Sequence, residues 1–279
     1  MTRVVFALPL VLAAGCYPRI PGAWEDYWVP EKLGIIGVAT NTQGVGGYWG
    51  DVDDYAEVWW GWVEGGTTSA AALDAYVPGG GCVRNAPGAA DLYPLFEDLG
   101  VSISQITGSE EHDLYWWEER GIFHQDPARL LPGSYDLAPL ETPGYGTISA
   151  EGFLQVPSWP SESMSGPSLT GSQPATARLE DIQYTWASRR ADFDLMILEV
   201  WLAWEDDGWF NTYEHVACVA DGEDGRVALD VSRFHDPGLA DGAYVFLGPA
   251  NDTRVRLDER HIASNMLSWE RHAGFLFLE

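Results

Sequence analysis

The stretch FDLMILEVWLAW, residues 193–204, is the part of the sequence that decides the fold. Successive side chains of a strand point to opposite faces, and nearly every residue on both faces is apolar here. The pattern predicts a long strand covered on both sides, as in the centre of a β-sandwich. The next residues, Glu-Asp-Asp-Gly at 205–208, have the composition of a hairpin turn, and residues 213–220 are predicted to form the returning strand.

The same kind of pattern extends over the rest of the chain. Short runs of β-branched and aromatic residues alternate with Gly, Pro and Asp, which is typical of all-β proteins. Residues 89–99, 108–120 and 258–267 are candidates for short helices, the second overlapping a predicted strand. We therefore predict a mainly β protein, an antiparallel β-sandwich of two packed units with few short helices. The predicted strands include residues 35–40, 56–63, 101–106, 114–117, 147–156, 182–186, 227–231, 243–247, 253–257 and 275–278.

A change in composition divides the chain into two units. Residues 158–176 hold six serines and three prolines without a strong apolar run, which is the composition of a linker. We predict an N-terminal β unit at residues 34–157 and a C-terminal β-sandwich unit at residues 177–279. Residues 16–33, which contain three prolines, are predicted to be a tether.

Residues 1–16 read MTRVVFALPLVLAAGC and have the physical features of an export signal. Arg3 supplies a positive charge, an apolar run follows, and small residues precede Cys16. The apolar run is about half of the roughly 20 residues that a membrane-spanning helix needs. Residues 1–15 are therefore predicted to be a signal peptide.

The residues before Cys16, Leu-Ala-Ala-Gly, resemble the lipobox of bacterial lipoproteins. In that family the chain is cut before the cysteine, which then carries several acyl chains such as palmitate, and stable anchoring takes two or more chains. The resemblance implies a membrane anchor at Cys16. Because Tyr17 is not acidic, it also implies the outer membrane. An ordinary secretory signal with a chance cysteine is the alternative.

Three short motifs of the body resemble uncharacterised secreted lipoproteins of myxobacteria and related deltaproteobacteria. They are Val-Ala-Cys-Val at 216–219, Gly-Ser-Tyr-Asp-Leu at 133–137, and Trp186 before the long strand. That family has no assigned activity. The resemblance therefore implies a fold and a location in the cell envelope, and no particular reaction.

The charge of the chain limits its partners. It carries 42 acidic and 15 basic residues, a formal net charge of −27. Such a field repels phosphate backbones, so nucleic acid is excluded as a predicted partner. The same field attracts cations, among them calcium, although adaptation of the surface to salt, or solubility, is the interpretation that we favour. The partners that remain are the membrane through the lipid, and an envelope protein or polysaccharide.

Two cysteines remain besides Cys16. Cys82 and Cys218 lie in different halves of the chain. In an oxidising compartment they are candidates for a disulfide, which requires the two halves to pack together. The alternative is two buried free thiols, because cysteine also packs as a small hydrophobic residue.

Two acidic loops are candidates for calcium, which takes about six to eight oxygen ligands. Neither loop has the spacing of an EF-hand, and acidic turns are expected in an acidic protein. No other cofactor is predicted. The candidate ligands are Asp51, Asp53 and Asp54 in one loop, and Asp221, Glu223 and Asp224 in the other.

The fourteen tryptophans raise the question of a sugar-binding surface. Trp60 and Trp62 share one face of a predicted strand while Trp59 takes the other, so one of the three is expected to be exposed unless the strand is central. Trp201 shares a face with Glu199, the best aromatic–carboxylate pair in the chain and our candidate ligand site. The alternative is that the tryptophans fill the core.

No nucleophile elbow, His-Glu-x-x-His sequence, phosphate-binding loop or dinucleotide fingerprint occurs in the chain. We therefore predict a membrane-anchored envelope lipoprotein with a non-catalytic structural or binding role. One alternative is a carbohydrate-binding β-sandwich that uses exposed tryptophans. Another is a glycosidase-like enzyme, because so many acids allow a carboxylate pair.

Overall fold

The computed structural model describes residues 33–44, 55–63, 81–85, 96–126, 129–160, 164–169, 175–187, 192–206, 209–256 and 263–279. The predicted signal peptide, Cys16 and nearly all of the tether lie outside these residues. The described part is mainly β, as predicted, and none of its helices is long and apolar enough to cross a membrane.

Sixteen strands and four single-turn 3-10 helices make up the described secondary structure. The 3-10 helices are Leu179–Asp181, Gly222–Asp224, Val231–Arg233 and Pro237–Leu239. The strands are β1 Leu33–Gly44, β2 Tyr55–Val63, β3 Gly81–Arg84, β4 Phe96–Glu97, β5 Ile103–Thr107, β6 Glu111–Trp117, β7 Ile122–Gln125, β8 Gly133–Thr142, β9 Gly146–Val156, β10 Ala175–Ala177, β11 Gln183–Thr185, β12 Leu195–Asp206, β13 Trp209–Asp221, β14 Arg226–Ala228, β15 Gly242–Arg256 and β16 Ala263–Leu278.

Fourteen of these strands form one sheet. Their order is β3-β13-β12-β15-β16-β1-β2-β7-β6-β5-β8-β9, with β10 added beside β16 and β4 beside β2. The pairs are antiparallel except that β1 and β10 each run parallel to β16. The sheet coils until β9, its last strand, contacts β15 and β16. One sheet can therefore enclose one core and cover another.

The first core lies inside the coiled part of the sheet. Trp59, Trp60 and Trp62 of β2 are all buried, because β2 is a central strand paired with β1 and β7. Trp60 stacks on Phe123 with ring centroids 4.5 Å apart, and Trp59 meets the edge of Phe96 on the other face. The strand is therefore central, which is the condition under which the sequence allows all three tryptophans to be buried: both faces of β2 are covered.

The second core lies under the long strand β12. Met196, Leu198, Val200 and Leu202 point from β12 to one face and are fully buried. The small sheet of β11 and β14 covers that face together with the 3-10 turns, which gives the sandwich predicted for the C-terminal half. The described parts of the predicted linker also pack on this core.

Several element boundaries differ from the sequence-based prediction. Residues 108–120 contain β6, not a helix, because the segment pairs with β5 and β7 on its two sides. The predicted strands at 243–247 and 253–257 are one strand, β15, which runs through Gly248 and Pro249. The predicted strand at 275–278 is the end of the sixteen-residue strand β16. The third predicted helix, at 258–267, overlaps the start of β16, where the chain pairs with β1 and β15 instead.

Strands β15 and β16 approach closely at Gly248. A Cβ atom on this residue would lie 2.0 Å from the backbone oxygen of Glu270 and 2.7 Å from Cα of Arg271. Since both obstacles are backbone atoms, no side-chain rotation can relieve the clash. Glycine at this position therefore permits the close pairing of β15 with β16.

We predict that Gly248→Ala destabilises the fold by about 1–3 kcal/mol, the usual cost of overpacking a buried site. Urea unfolding followed by tryptophan fluorescence measures the change. Gly238→Ala is the matched control, because nothing lies within 4 Å of its added Cβ, and it should change stability by less than about 0.5 kcal/mol. Equal effects of the two variants would contradict the close approach.

Candidate functional site

The candidate ligand residues lie on the face of β12 that points away from the second core. Glu199 and Trp201 alternate with the buried Leu198, Val200 and Leu202, so they share the opposite face, as the sequence indicates. Both are half-buried. The strands β13, β15 and β16 supply their neighbours on this face.

Trp201 stands against a histidine of the neighbouring strand. It is directly opposite His215 in β13, and the two rings stack with centroids 4.1 Å apart and planes 11° apart. One face of the indole is therefore covered by imidazole. A sugar platform needs an open ring face, and Trp201 offers at most its other side.

Glu199 faces a positive charge. The Oε2 atom of Glu199 lies 3.8 Å from Nη1 of Arg271 in β16. The guanidinium carbon of Arg271 is in turn 4.9 Å from the ring centroid of Phe246. Although 22% of the side chain stays exposed, burial raises the pKa of Glu199 above its ordinary value. Arg271 and a hydrogen bond with Trp201 oppose that rise in pKa. The result is a carboxylate held beside a cation in a partly dry environment.

This arrangement limits the chemistry of the site. Glycoside hydrolysis uses two carboxyl groups on either side of the scissile bond, one of them kept protonated. The charged group that the structure places beside Glu199 is a guanidinium. Arg271, Phe246 and His215 are neighbours that the sequence alone did not identify, since each comes from another strand.

Glu214 and His215 lie on opposite faces of β13, as the alternation predicts. Glu214 is buried and accepts hydrogen bonds from the backbone N–H of His235 at 2.9 and 3.0 Å. It also lies 3.4 Å from Nη1 of Arg84 in β3. Its role is therefore to hold the 235 turn and the edge strand, whereas His215 belongs to the Trp201 stack.

The acidic loop at 221–225 uses its carboxylates locally. The backbone N–H of Asp221 donates to Asp224 at 3.3 Å, and the Asp221 side chain accepts in return from the backbone N–H of Asp224. Burial, followed by the charges of Asp224 and Glu223, raises the pKa of Asp221. In the described part of the chain, no group of three His, Cys, Asp or Glu side chains is placed to hold a metal ion. The other candidate loop, with Asp51, Asp53 and Asp54, lies outside the described residues.

Cys82 and Cys218 are joined by a disulfide across adjacent strands. They face each other in the register of β3 and β13, and their sulfur atoms are 2.05 Å apart. The bond links positions 136 residues apart and ties β3, the four-residue edge strand of the large sheet, to β13. A crosslink over such a distance contributes about 2–5 kcal/mol to stability, by a model-dependent estimate.

The tryptophans whose side chains are described are mostly buried or half-buried. Trp204 is the exposed one among them, with 38% of its surface accessible, and it is tilted by 49° against Tyr213. A single tilted ring is not a row of coplanar platforms. Within these residues the geometry therefore favours the interpretation that tryptophans fill and seal the cores.

Comparisons with known proteins assign no family. No family model matches the chain, and no curated protein does. A solved structure of native Escherichia coli alpha-2-macroglobulin aligns at 9% identity and a TM-score of 0.19, over 90% of this chain and 15% of that one. A DUF3823 family protein from Bacteroides ovatus aligns at 11% identity and a TM-score of 0.17, over 89% of this chain and 100% of that one. Alignments at these scores carry no argument about fold or function.

The raised pKa of Glu199 predicts a specific pH dependence. The pKa of Glu199 in the folded state lies above the unfolded value of about 4.3. At a pH between these two pKa values the native state binds more protons than the unfolded state. The stability of the wild type therefore falls as the pH rises through this range. Glutamine does not titrate. The free energy of unfolding of wild type minus that of Glu199→Gln should therefore fall from acidic to neutral pH, as measured by urea titrations at each pH.

Glu205→Gln is the charge-matched control for this experiment. Glu205 is an exposed glutamate near the end of the same strand, so its replacement reports the general effect of removing one negative charge. If the two variants differ from wild type with the same pH dependence, burial of Glu199 has no special energetic consequence and the description of this site is wrong.

Proposed function

We propose that this chain is an exported bacterial lipoprotein, acylated at Cys16 and held on the outer membrane, with a non-catalytic structural or binding role in the cell envelope. The signal-like residues 1–15 and the small residues before Cys16 support export and acylation. Several acyl chains on one cysteine are a sufficient anchor for a folded domain.

The observation that carries the proposal is the use of the three cysteines. One stands at the end of the signal-like segment, and the other two form the disulfide between β3 and β13. Structural disulfides persist in oxidising compartments and are rare in the bacterial cytoplasm. The pairing of Cys82 with Cys218 therefore supports the same destination as the N-terminal sequence, although it comes from a different part of the molecule.

The charge of the chain limits the proposed partners, and the ion pair on the open face of β12 favours a binding role over a catalytic one. A net charge of −27 opposes contact with nucleic acid and with anionic lipid headgroups, so the lipid chains must supply the membrane contact. The partners proposed for the body are an envelope protein or a polysaccharide. Glu199 beside Arg271 is a positioned ion pair, which supports recognition more readily than acid–base catalysis.

Intact-mass spectrometry of protein purified from host membranes tests the proposal. We expect the mass of residues 16–279 plus acyl groups, and a gain equal to two hydrogen atoms on reduction, because the disulfide then opens. The Cys16→Ser protein should carry no acyl groups and should no longer be found in the membrane fraction. The Gly15→Ala protein should stay acylated and stay in the membrane fraction, since a small residue still precedes the cysteine.

Two results would contradict the proposal. One is a wild-type chain that carries no lipid and begins at another residue. The other is a Cys16→Ser protein that stays in the membrane fraction as fully as wild type, which would mean that another part of the chain makes the membrane contact.

A further inference from the structure

A cleft opens on the second core, away from Glu199 and Trp201. It lies between the segment 164–169, strand β11 and the paired strands β15 and β16, and has a volume of about 570 Å³. Cavities that hold small molecules in proteins usually measure about 300–1,000 Å³ and combine apolar walls with a few polar groups. The side chains that matter for its chemistry are Trp159, Met164, Leu169, Tyr184, Leu247 and His272.

The wall of the cleft is fixed by backbone contacts. Ser165 and Thr185 exchange two backbone hydrogen bonds, at 2.9 and 3.0 Å. Gly166 lies so close to the Tyr184 ring that a Cβ would be 2.3 Å from Cδ1, and Gly274 gives similar room to the backbone of Leu169. The serine-rich composition of this segment predicts a linker, but its described residues form a positioned wall.

One end of the cleft is an aromatic pair. Trp159 and His272 stack with centroids 3.7 Å apart and planes 7° apart. Burial, together with the nearby Arg129, lowers the pKa of His272, so its ring is neutral at neutral pH. Among the described residues that line the cleft, none is an Asp, Glu, Arg or Lys. The lining therefore suits an uncharged occupant.

Tyr184 supplies an unused hydrogen-bonding group. Only 3% of the residue is exposed, and its hydroxyl has no hydrogen-bond partner. Burial raises the pKa of Tyr184 well above its ordinary value, so the hydroxyl keeps its proton and is a donor. A buried polar group left without a partner costs about 1–3 kcal/mol, which a ligand oxygen at this position would recover.

We propose that this cleft binds an uncharged small molecule with an apolar ring, whose carbonyl or hydroxyl oxygen accepts a hydrogen bond from Tyr184. Trp159, Met164 and Leu247 supply the apolar surface for that ring. The inference goes beyond the envelope role proposed above and does not rest on acylation of Cys16. It assigns a function to three residues, at 159, 184 and 272, that are distant in sequence and meet only in the folded chain.

Saturation-transfer NMR on the full-length protein at neutral pH tests the proposal with three probes. Acetophenone has the ring and a carbonyl acceptor, benzoate has the same ring with a negative charge, and methyl β-glucoside is an uncharged sugar. We expect acetophenone to bind with millimolar affinity, as is usual for a fragment of this size, and the other two to bind at least about 10-fold more weakly.

Three variants locate the binding. Tyr184→Phe should weaken acetophenone by about 3- to 10-fold, the effect of one hydrogen bond, and should leave the melting temperature unchanged or raised because it removes an unpartnered hydroxyl. Tyr244→Phe is the matched control and should bind as wild type, since Tyr244 and Leu247 point to opposite faces of β15. Ser168→Trp, at an exposed position of the wall, should block the cleft.

The proposal is overturned by any of four results. These are no acetophenone signal up to about 10 mM, a concentration at which such a fragment would fill the site; binding that Tyr184→Phe and Ser168→Trp leave unchanged; benzoate binding as tightly as acetophenone; and methyl β-glucoside binding more tightly. The last result would assign the cleft to a sugar.

Discussion

Strand β16 is the element on which the rest of the structure depends. Its first half pairs with β1 on one side and β15 on the other, and its second half packs Leu276 into the second core. One strand of sixteen residues therefore pairs with β1 and with β15 and also contributes to the second core. The parallel pairing with β1 joins the start of the described chain to its end, which closes the two β units into one sheet. A parallel pair requires a long connection, and here almost the whole chain serves as that connection.

The two faces of the second unit are specialised by the alternation of side chains along β12. The buried face carries aliphatic side chains and is covered by β11, β14 and the 164–169 segment, which leaves the cleft between Trp159 and Tyr184. The other face carries the Trp201–His215 stack and the pair of Glu199 with Arg271. A disulfide at the sheet edge fixes the far end of this layer. The two faces of this unit therefore differ in chemistry, one aliphatic and the other carrying aromatic and charged side chains.

The sequence predicts local structure well and long-range neighbours poorly. The apolar run at 193–204 correctly predicts the central strand β12, and alternation correctly places Glu199 with Trp201. The residue that pairs with Trp201 across the hairpin cannot be found by counting back from the turn. That count would put Glu214 opposite Trp201. The register shifts by one residue at Leu202 and Ala203, and this shift brings His215 there instead. The cleft was beyond sequence reasoning because its residues lie on separate segments, one with the composition of a linker.

Hydrogen exchange with mass spectrometry in increasing denaturant tests the central claim that β16 couples the two cores. Exchange through cooperative unfolding reports the free energy of opening of each segment. If the cores share one sheet through β16, peptides from β2 in the first core and β12 in the second should lose protection together, with the same opening free energy. Loss of protection in β2 at a clearly lower denaturant concentration than in β12 would show two independent units and would contradict this account.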